Sequence, residues 1–293
     1  MRILVTGSSG QLGTDVAEIL RGSHDLLALK KSDLDIADLA AVEEVVERFS
    51  PAVVVNCAAY TGVDDCEEMR RQAYSVNVTG PKNLALCVSR HGGKLIHVST
   101  DYVFDGNRAV PNPYVEEDEP APISYYGQTK LEGERAIGEV TERCIIIRTA
   151  WLYGMVGRNF PKTILRLAIQ DPKKTINVVN DQFGSLTWSH RLAQQIVRLI
   201  EVDGHGIYHA TAHGFSSWYD GALTFLNLMG VPHNLRPCSS AEYPTRAVRP
   251  KNSILGNRRL KSEGLDCMRP WKEDLEQFVE LHREHLMREA QGE

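Results

Sequence analysis

The opening stretch MRILVTGSSGQLGTDVAEIL constrains the fold of this chain more than any other segment. Met1 to Thr6 reads as a buried strand through Ile3, Leu4 and Val5, and it runs straight into Gly7, Gly10 and Gly13; Asp15 to Arg21 then reads as a helix. A strand, a glycine turn and a helix N-terminus make a seat for an anionic pyrophosphate, because backbone N–H groups and the positive end of the helix dipole point at it together. The glycines allow the tight turn and the close approach of the phosphate. The spacing is GxxGxxG with no Gly-Lys-Ser/Thr after it, which argues against the phosphate loop of nucleoside triphosphatases.

The pattern continues down the chain. Leu26 to Leu29 reads as a second strand, Asp38 to Phe49 as a helix, and Ala52 to Val55 as a third strand ending in Asn56-Cys57-Ala58-Ala59-Tyr60. A long helix from about Arg71 to Arg90 contains Asn77; Lys94 to Val98 is a fourth strand and Cys144 to Arg148 a fifth, leading into Thr149-Ala150-Trp151. Short apolar runs alternating with amphipathic helices predict a doubly wound parallel sheet over residues 1–150. Ligands of such sheets sit at the carboxyl ends of the strands, so the small residues Ala58 and Ala59, with Tyr60, are candidates to lie against a flat cofactor. Ser99 and Thr100 end the fourth strand, where a hydroxyl is placed to bond a substrate carbonyl. The proline-rich, acidic segment 107–122 reads as an irregular excursion. Helices at 158–170, 187–200 and 217–229, with short strands at 176–179 and 206–209, predict a smaller α/β domain over 151–293 that binds substrate, with segments near 175–200 returning to the first domain.

Tyr126 and Lys130 are four apart on a predicted helix and share a face. An ammonium about 4 Å from a phenol, at an effective dielectric of about 20, is worth roughly 4 kcal/mol, or about three pKa units of phenolate stabilisation. Such a tyrosine is a usable acid or base near neutrality. Past the second strand the chain reads Lys30-Lys31, where a base would meet the 2′-phosphate of NADP and an acid would bond the ribose of NAD; the alternative is two solvated lysines. Asp35 and Ile36 either flank the adenine or start a turn. Arg246, Arg249 and Lys251 cluster in TRAVRPKNS, suited to a nucleotide diphosphate or else a solvated basic loop.

Seven motifs in order, TGSSGQLG, NCAAYT, STDYVFDG, YGQTK, RTAW, NDQFG and RPKNS, resemble those of the dTDP-4-dehydrorhamnose reductases, within the extended short-chain dehydrogenase/reductase superfamily. The resemblance runs from Arg2 to about Phe278 and implies a Rossmann-type fold. It implies that Thr100, Tyr126 and Lys130 are catalytic, that Gln11 and Leu12 of the glycine turn, with Asn77, Tyr126 and Lys130, touch the cofactor, and that Asp101 and Trp151 meet the sugar. The implied reaction is reduction of the 4-keto group of a dTDP-linked 4-keto-6-deoxy sugar to dTDP-L-rhamnose by NADPH, with NADH the alternative. Leu186 stands where family members usually carry proline. Sugar-nucleotide 4,6-dehydratases place Asp-Glu after the threonine, whereas Asp101 is followed by Tyr102, so dehydration is not expected. A 4-epimerase is less firmly excluded. The non-catalytic regulatory subunit of methionine adenosyltransferase also resembles these reductases, but it lacks the Thr-Ala-Trp found at Thr149 to Trp151.

The remaining properties fit a cytoplasmic enzyme that is a monomer or homodimer. The first strand begins at residue 2, leaving no room for a signal peptide, and no apolar run has the length of a membrane span. A net charge of −5 leaves no nucleic-acid footprint. Six scattered cysteines without CxxC spacing read as reduced thiols. No HExxH or carboxylate cage is present, so catalysis is expected to need no metal, with any part for magnesium left open, and His97 reads as a packed core residue.

Overall fold

Both faces of a parallel sheet are covered by crossover helices, so its strands can be apolar at every position. That is how the central strands of this protein are built. The computed structural model describes residues 1–292. Its strands β1 (Arg2–Thr6), β2 (Asp25–Leu29), β3 (Val53–Asn56), β4 (Lys94–Thr100), β5 (Cys144–Thr149) and β6 (Gly206–His209) form one parallel sheet in the order β2-β1-β3-β4-β5-β6. Every residue of β3 and of β5 is buried. The chain leaves β1 first to one side, for β2, and then to the other, for β3. The crevice at that reversal lies between the ends of β1 and β3, where Thr6 is in register with Asn56.

Helices Gln11–Leu20 and Ser189–Ile200 cover one face and share a core through Leu12, Val16, Leu192 and Ile196. Helices Leu39–Phe49, Gly80–Arg90 and Tyr125–Gly138 cover the other through Val42, Leu84, Val88 and Ile137. Asp38 starts the first of these by accepting from Ala40 N at 3.0 Å and Ala41 N at 3.2 Å. Ser50, in the left-handed region at φ 45°, stops it.

Two elements depart from the sequence reading. The helix expected over 71–90 is interrupted: Arg70–Tyr74 passes into a wide π turn, Ser75–Thr79, before Gly80–Arg90 resumes, and the wide turn carries Asn77 inward. The return to the central sheet falls within the expected span 175–200 only in part. Thr175–Val179 alternates exposed and buried residues, which suits a sheet with one wet face, and it pairs with Asn234–Cys238 in a second lobe. Helix Ser189–Ile200 makes the return as expected, joined by β6, which reads from sequence as part of the smaller domain and pairs with β5 from Gly206↔Ile145 to His209↔Arg148. The second lobe has its own core of Tyr153, Leu165, Trp188, Phe225 and Phe278, closed by helix Trp271–Gln291. Leu186 is buried in it.

Candidate active site

The glycine turn sits in the crevice at the reversal of strand order. Gly7 has φ 68°, and a Cβ there would lie 2.6 Å from the Ala58 nitrogen; one on Gly13 would lie 2.2 Å from the Gly7 carbonyl oxygen. These two glycines let helix Gln11–Leu20 and the segment after β3 close on the end of β1. Gly10 precedes the helix, and no side chain caps its first turn. The N–H groups there are left for an anion, which is the fit a pyrophosphate-bearing dinucleotide requires. Leu12 is buried in the core beneath, and the Gln11 side chain accepts from Asn159 Nδ2 at 2.9 Å, tying the turn to the second lobe. Ala58, Ala59 and Tyr60 are half-buried on the facing side.

Past β2, Lys30 and Lys31 are exposed. Asp35 accepts from Ala37 N at 3.0 Å and starts a turn, while Ile36 is buried against Gly80. Asn77 has no amide atom to spare. It accepts from Tyr60 N at 2.8 Å and donates to Tyr60 O and to Thr129 Oγ1, each at 3.1 Å, so its work is to hold the Tyr60 segment.

Thr100 ends β4. Its hydroxyl donates to Asp101 Oδ1 at 2.9 Å and accepts from Tyr102 N at 3.2 Å, capping the short turn Asp101–Val103. Tyr126 enters from helix Tyr125–Gly138, which Ser124 starts by accepting from Gly127 N at 3.2 Å. The Tyr126 ring is buried edge-on to Tyr102, centroids 5.6 Å apart. Burial pushes its phenol above the ordinary range, with the Thr100 hydroxyl acting in the opposite sense. Burial likewise pushes the Asp101 carboxyl up to about 6.

The structure therefore corrects the simple picture of a phenol tuned by a neighbouring ammonium. Lys130 is fully buried and its Nζ bonds the Val98 carbonyl at 2.7 Å and reaches His97 Nε2 at 3.2 Å. A buried amine nitrogen needs hydrogen-bond partners, and those nearest are on β4. Burial lowers the Lys130 pKa to about 8.

Arg249 and Trp151 are each held by a side chain distant in sequence. Arg249 grips Asp64 through Nη2 at 2.7 Å and Nη1 at 3.2 Å, and its guanidinium holds the Asp64 carboxyl below the ordinary range. A diphosphate approaching Arg249 thus competes with a carboxylate already in place. Trp151 is held at φ 48° and stacks on Trp218, centroids 3.5 Å apart and rings 6° from parallel. Trp218 and Asp64 were not singled out in the sequence. Neither lies in a spacing that signals a site, although Asp64 follows the NCAAYT motif by only a few residues. A buried cluster behind β4 was missed as well: Arg148 pairs with Glu134 at 2.7 Å, and Ser99 donates to the same carboxylate. Among the described residues, no group of three or more His, Cys, Asp or Glu side chains is arranged to hold a metal ion.

The model of the RmlD substrate binding domain family matches residues 1–284. The chain belongs to that family. Other comparisons agree over the whole length. A dTDP-4-keto-6-deoxy-D-glucose reductase of Streptomyces niveus is 39% identical over 283 residues, covering 96% of this chain and 97% of the relative. The crystal structure of a dTDP-4-dehydrorhamnose reductase from Clostridium acetobutylicum superposes with TM-score 0.93 at 41% identity, over 96% of this chain and 99% of that one. A dTDP-4-dehydrorhamnose reductase from Bacillus anthracis, solved in complex with NADP, superposes with TM-score 0.91 at 39% identity, over 95% of this chain and 98% of the other.

Proposed function

We propose that this protein is an NADPH-dependent reductase of the 4-keto group of a dTDP-linked 6-deoxy sugar, making dTDP-L-rhamnose for cell-surface polysaccharide. The observation that carries this reading is the meeting of an uncapped glycine turn with Thr100, Tyr126 and Lys130 at the carboxyl ends of β1, β3 and β4. It occurs in a chain whose full-length relatives bear reductase names.

Gly7, Gly10, Gln11, Leu12 and Gly13 would hold the pyrophosphate, Ala58, Ala59 and Tyr60 the flat face of the dinucleotide, and Lys30 its 2′-phosphate. NADPH, when bound, supplies hydride to the keto carbon. Tyr126 holds the proton that the sugar oxygen takes up as it becomes a hydroxyl, and its raised pKa keeps that proton in place until an alkoxide, a far stronger base, asks for it. Thr100 bonds the same oxygen as charge develops there. Lys130 orients the nicotinamide ribose. Asp101, buried with its carboxyl pushed up to about 6, bonds a sugar hydroxyl, Trp151 covers the apolar face of the ring, and Arg249 receives the diphosphate. The first domain then carries cofactor and the second substrate. No helix in the described residues is long and apolar enough to cross a membrane, in keeping with work on soluble substrates in the cytoplasm.

The test is loss of reduced-nicotinamide absorbance when purified protein is added to dTDP-4-keto-6-deoxy-L-mannose, with dTDP-4-keto-6-deoxy-D-glucose and NADH run in parallel. Turnover of the L-sugar with NADPH, abolished in Thr100→Val and Tyr126→Phe, is the expected result. Preference for the D-sugar moves the substrate to that of the Streptomyces relative. Cofactor binding without turnover of either sugar refutes the reductase reading and favours a regulatory one.

A further inference from the structure

A buried line of hydrogen bonds connects the strand reversal to Lys130, and the mechanism above uses only its last member. Thr6 Oγ1 donates to Asn56 Oδ1 at 2.7 Å, and Ala58 N donates to the same oxygen at 3.1 Å. Asn56 Nδ2 lies 2.9 Å from His97 Nδ1, and His97 Nε2 lies 3.2 Å from Lys130 Nζ, which bonds Val98 O at 2.7 Å. None of Thr6, Asn56, His97 and Lys130 is more than 1% exposed.

The direction of each bond can be worked out. A backbone N–H only donates, so the Asn56 atom facing Ala58 is the oxygen and the atom facing His97 is the NH2. His97 Nδ1 must then accept, and in a neutral imidazole the one proton sits on Nε2. That N–H points at Lys130. An ammonium has three donors and no acceptor and would meet it head-on, whereas an uncharged amine accepts from His97 with its lone pair and still donates to Val98.

We propose that Asn56 and His97 are positioning residues: by fixing the imidazole proton on Nε2 they favour the uncharged amine of Lys130, which is therefore a titrating group of the working enzyme and not a fixed cation. Of the other groups facing Lys130, Glu134 and Cys57 act toward its charged form, each less than burial acts against it. Glu134, one turn along the same helix, is taken by Arg148 and Ser99. The Cys57 thiol, from the segment after β3, is pushed up to about 12 by burial and stays protonated, as does the Tyr126 phenol. Burial of Lys130 itself acts toward the uncharged amine. The catalytic consequence rests on the role of Lys130 given above, but the charge state does not.

The test uses the full-length, isotope-labelled protein without cofactor. Nitrogen–proton correlation spectra, with the His97 signal identified by its loss in His97→Gln, are expected to show the Nε2–H form, and the Lys130 side chain to titrate near 8 against 10.5 for an ordinary lysine. In Asn56→Asp the carboxylate accepts from Nδ1–H, the proton leaves Nε2, and the Lys130 midpoint rises by about one unit or more. The matching limb of the kcat/KM pH profile moves with it. A wild-type His97 protonated on Nδ1 or on both nitrogens overturns the proposal, whether or not Asn56→Asp folds, and so does a Lys130 midpoint unmoved in a folded Asn56→Asp. Absence of keto-sugar turnover alongside the expected spectra would fell the reductase reading and leave this one standing.

Discussion

Placing one methyl group on Gly13 and, separately, one on Gly10 separates packing from binding. On Gly13 the new Cβ would stand 2.2 Å from the Gly7 carbonyl oxygen and 2.9 Å from Ser8 Cα, both backbone atoms that cannot swing aside. Relief requires helix Gln11–Leu20 to retreat by about 1 Å from the end of β1, loosening Leu12 and Val16 in the shared core with Leu192 and Ile196. Overpacking typically costs about 1–3 kcal/mol, and a rigid backbone obstacle puts Gly13→Ala at or above the top of that range. At roughly 2 °C per kcal/mol for a chain of this size, Tm should fall by about 6 °C or more. On Gly10 a Cβ meets only the Gly7 oxygen at 3.2 Å, and the backbone there is ordinary extended chain at φ −80°. Gly10→Ala should therefore cost at most about 1 kcal/mol in stability while weakening NADPH, because the methyl projects where the phosphate approaches. Thermal unfolding by circular dichroism and NADPH binding by fluorescence titration measure the two effects on both variants. Equal loss of stability in the two, or a Gly13→Ala protein that melts like wild type, would refute the argument from close approach.

Three further outcomes follow from the site and its surroundings. Tyr126→Phe should lower turnover by about 10²-fold or more, the contribution of a positioned general acid, with NADPH affinity little changed; single-turnover kinetics beside a binding titration decide it. Glu134→Gln leaves the buried Arg148 guanidinium without its carboxylate and should cost about 3–5 kcal/mol, measured as the urea midpoint; a loss under 1 kcal/mol would show that the cluster is wet. His209 is fully buried and its pKa is depressed to about 3, first by desolvation and then by the charge of Arg148. Between 6.5 and about 3 the unfolded chain therefore holds a proton that the folded chain lacks, so the contribution of His209 is complete above pH 6.5 and falls by about 1.4 kcal/mol per unit below it. The stability difference between wild type and His209→Gln should thus shift by about 2 kcal/mol between pH 7.5 and pH 5, and a difference flat with pH contradicts a neutral buried ring.

How far the sequence could be read depended on whether an interaction is local. The β1, glycine turn and helix succession at residues 2–20, the apolar run of β3 and the pairing of Tyr126 with Lys130 on one helix face all follow from spacings of a few residues, which steric and dipolar rules translate directly into structure. The parallel fold and the place of Thr100 at a strand's carboxyl end were legible for that reason. Contacts between residues far apart were not. Nothing near Arg249 in the chain announces Asp64, nothing near Trp151 announces Trp218, and Thr175–Val179 and Gly206–His209 look alike as short apolar strands until the sheet shows which has both faces covered. The charge of Lys130 belongs to this second class. Residue type and helical spacing foretold an ammonium beside a phenol, but burial and the proton on His97 Nε2, set by Asn56 from another strand, determine what that nitrogen carries, because the free energy of a buried charge is settled by whichever donors and acceptors the tertiary fold brings against it.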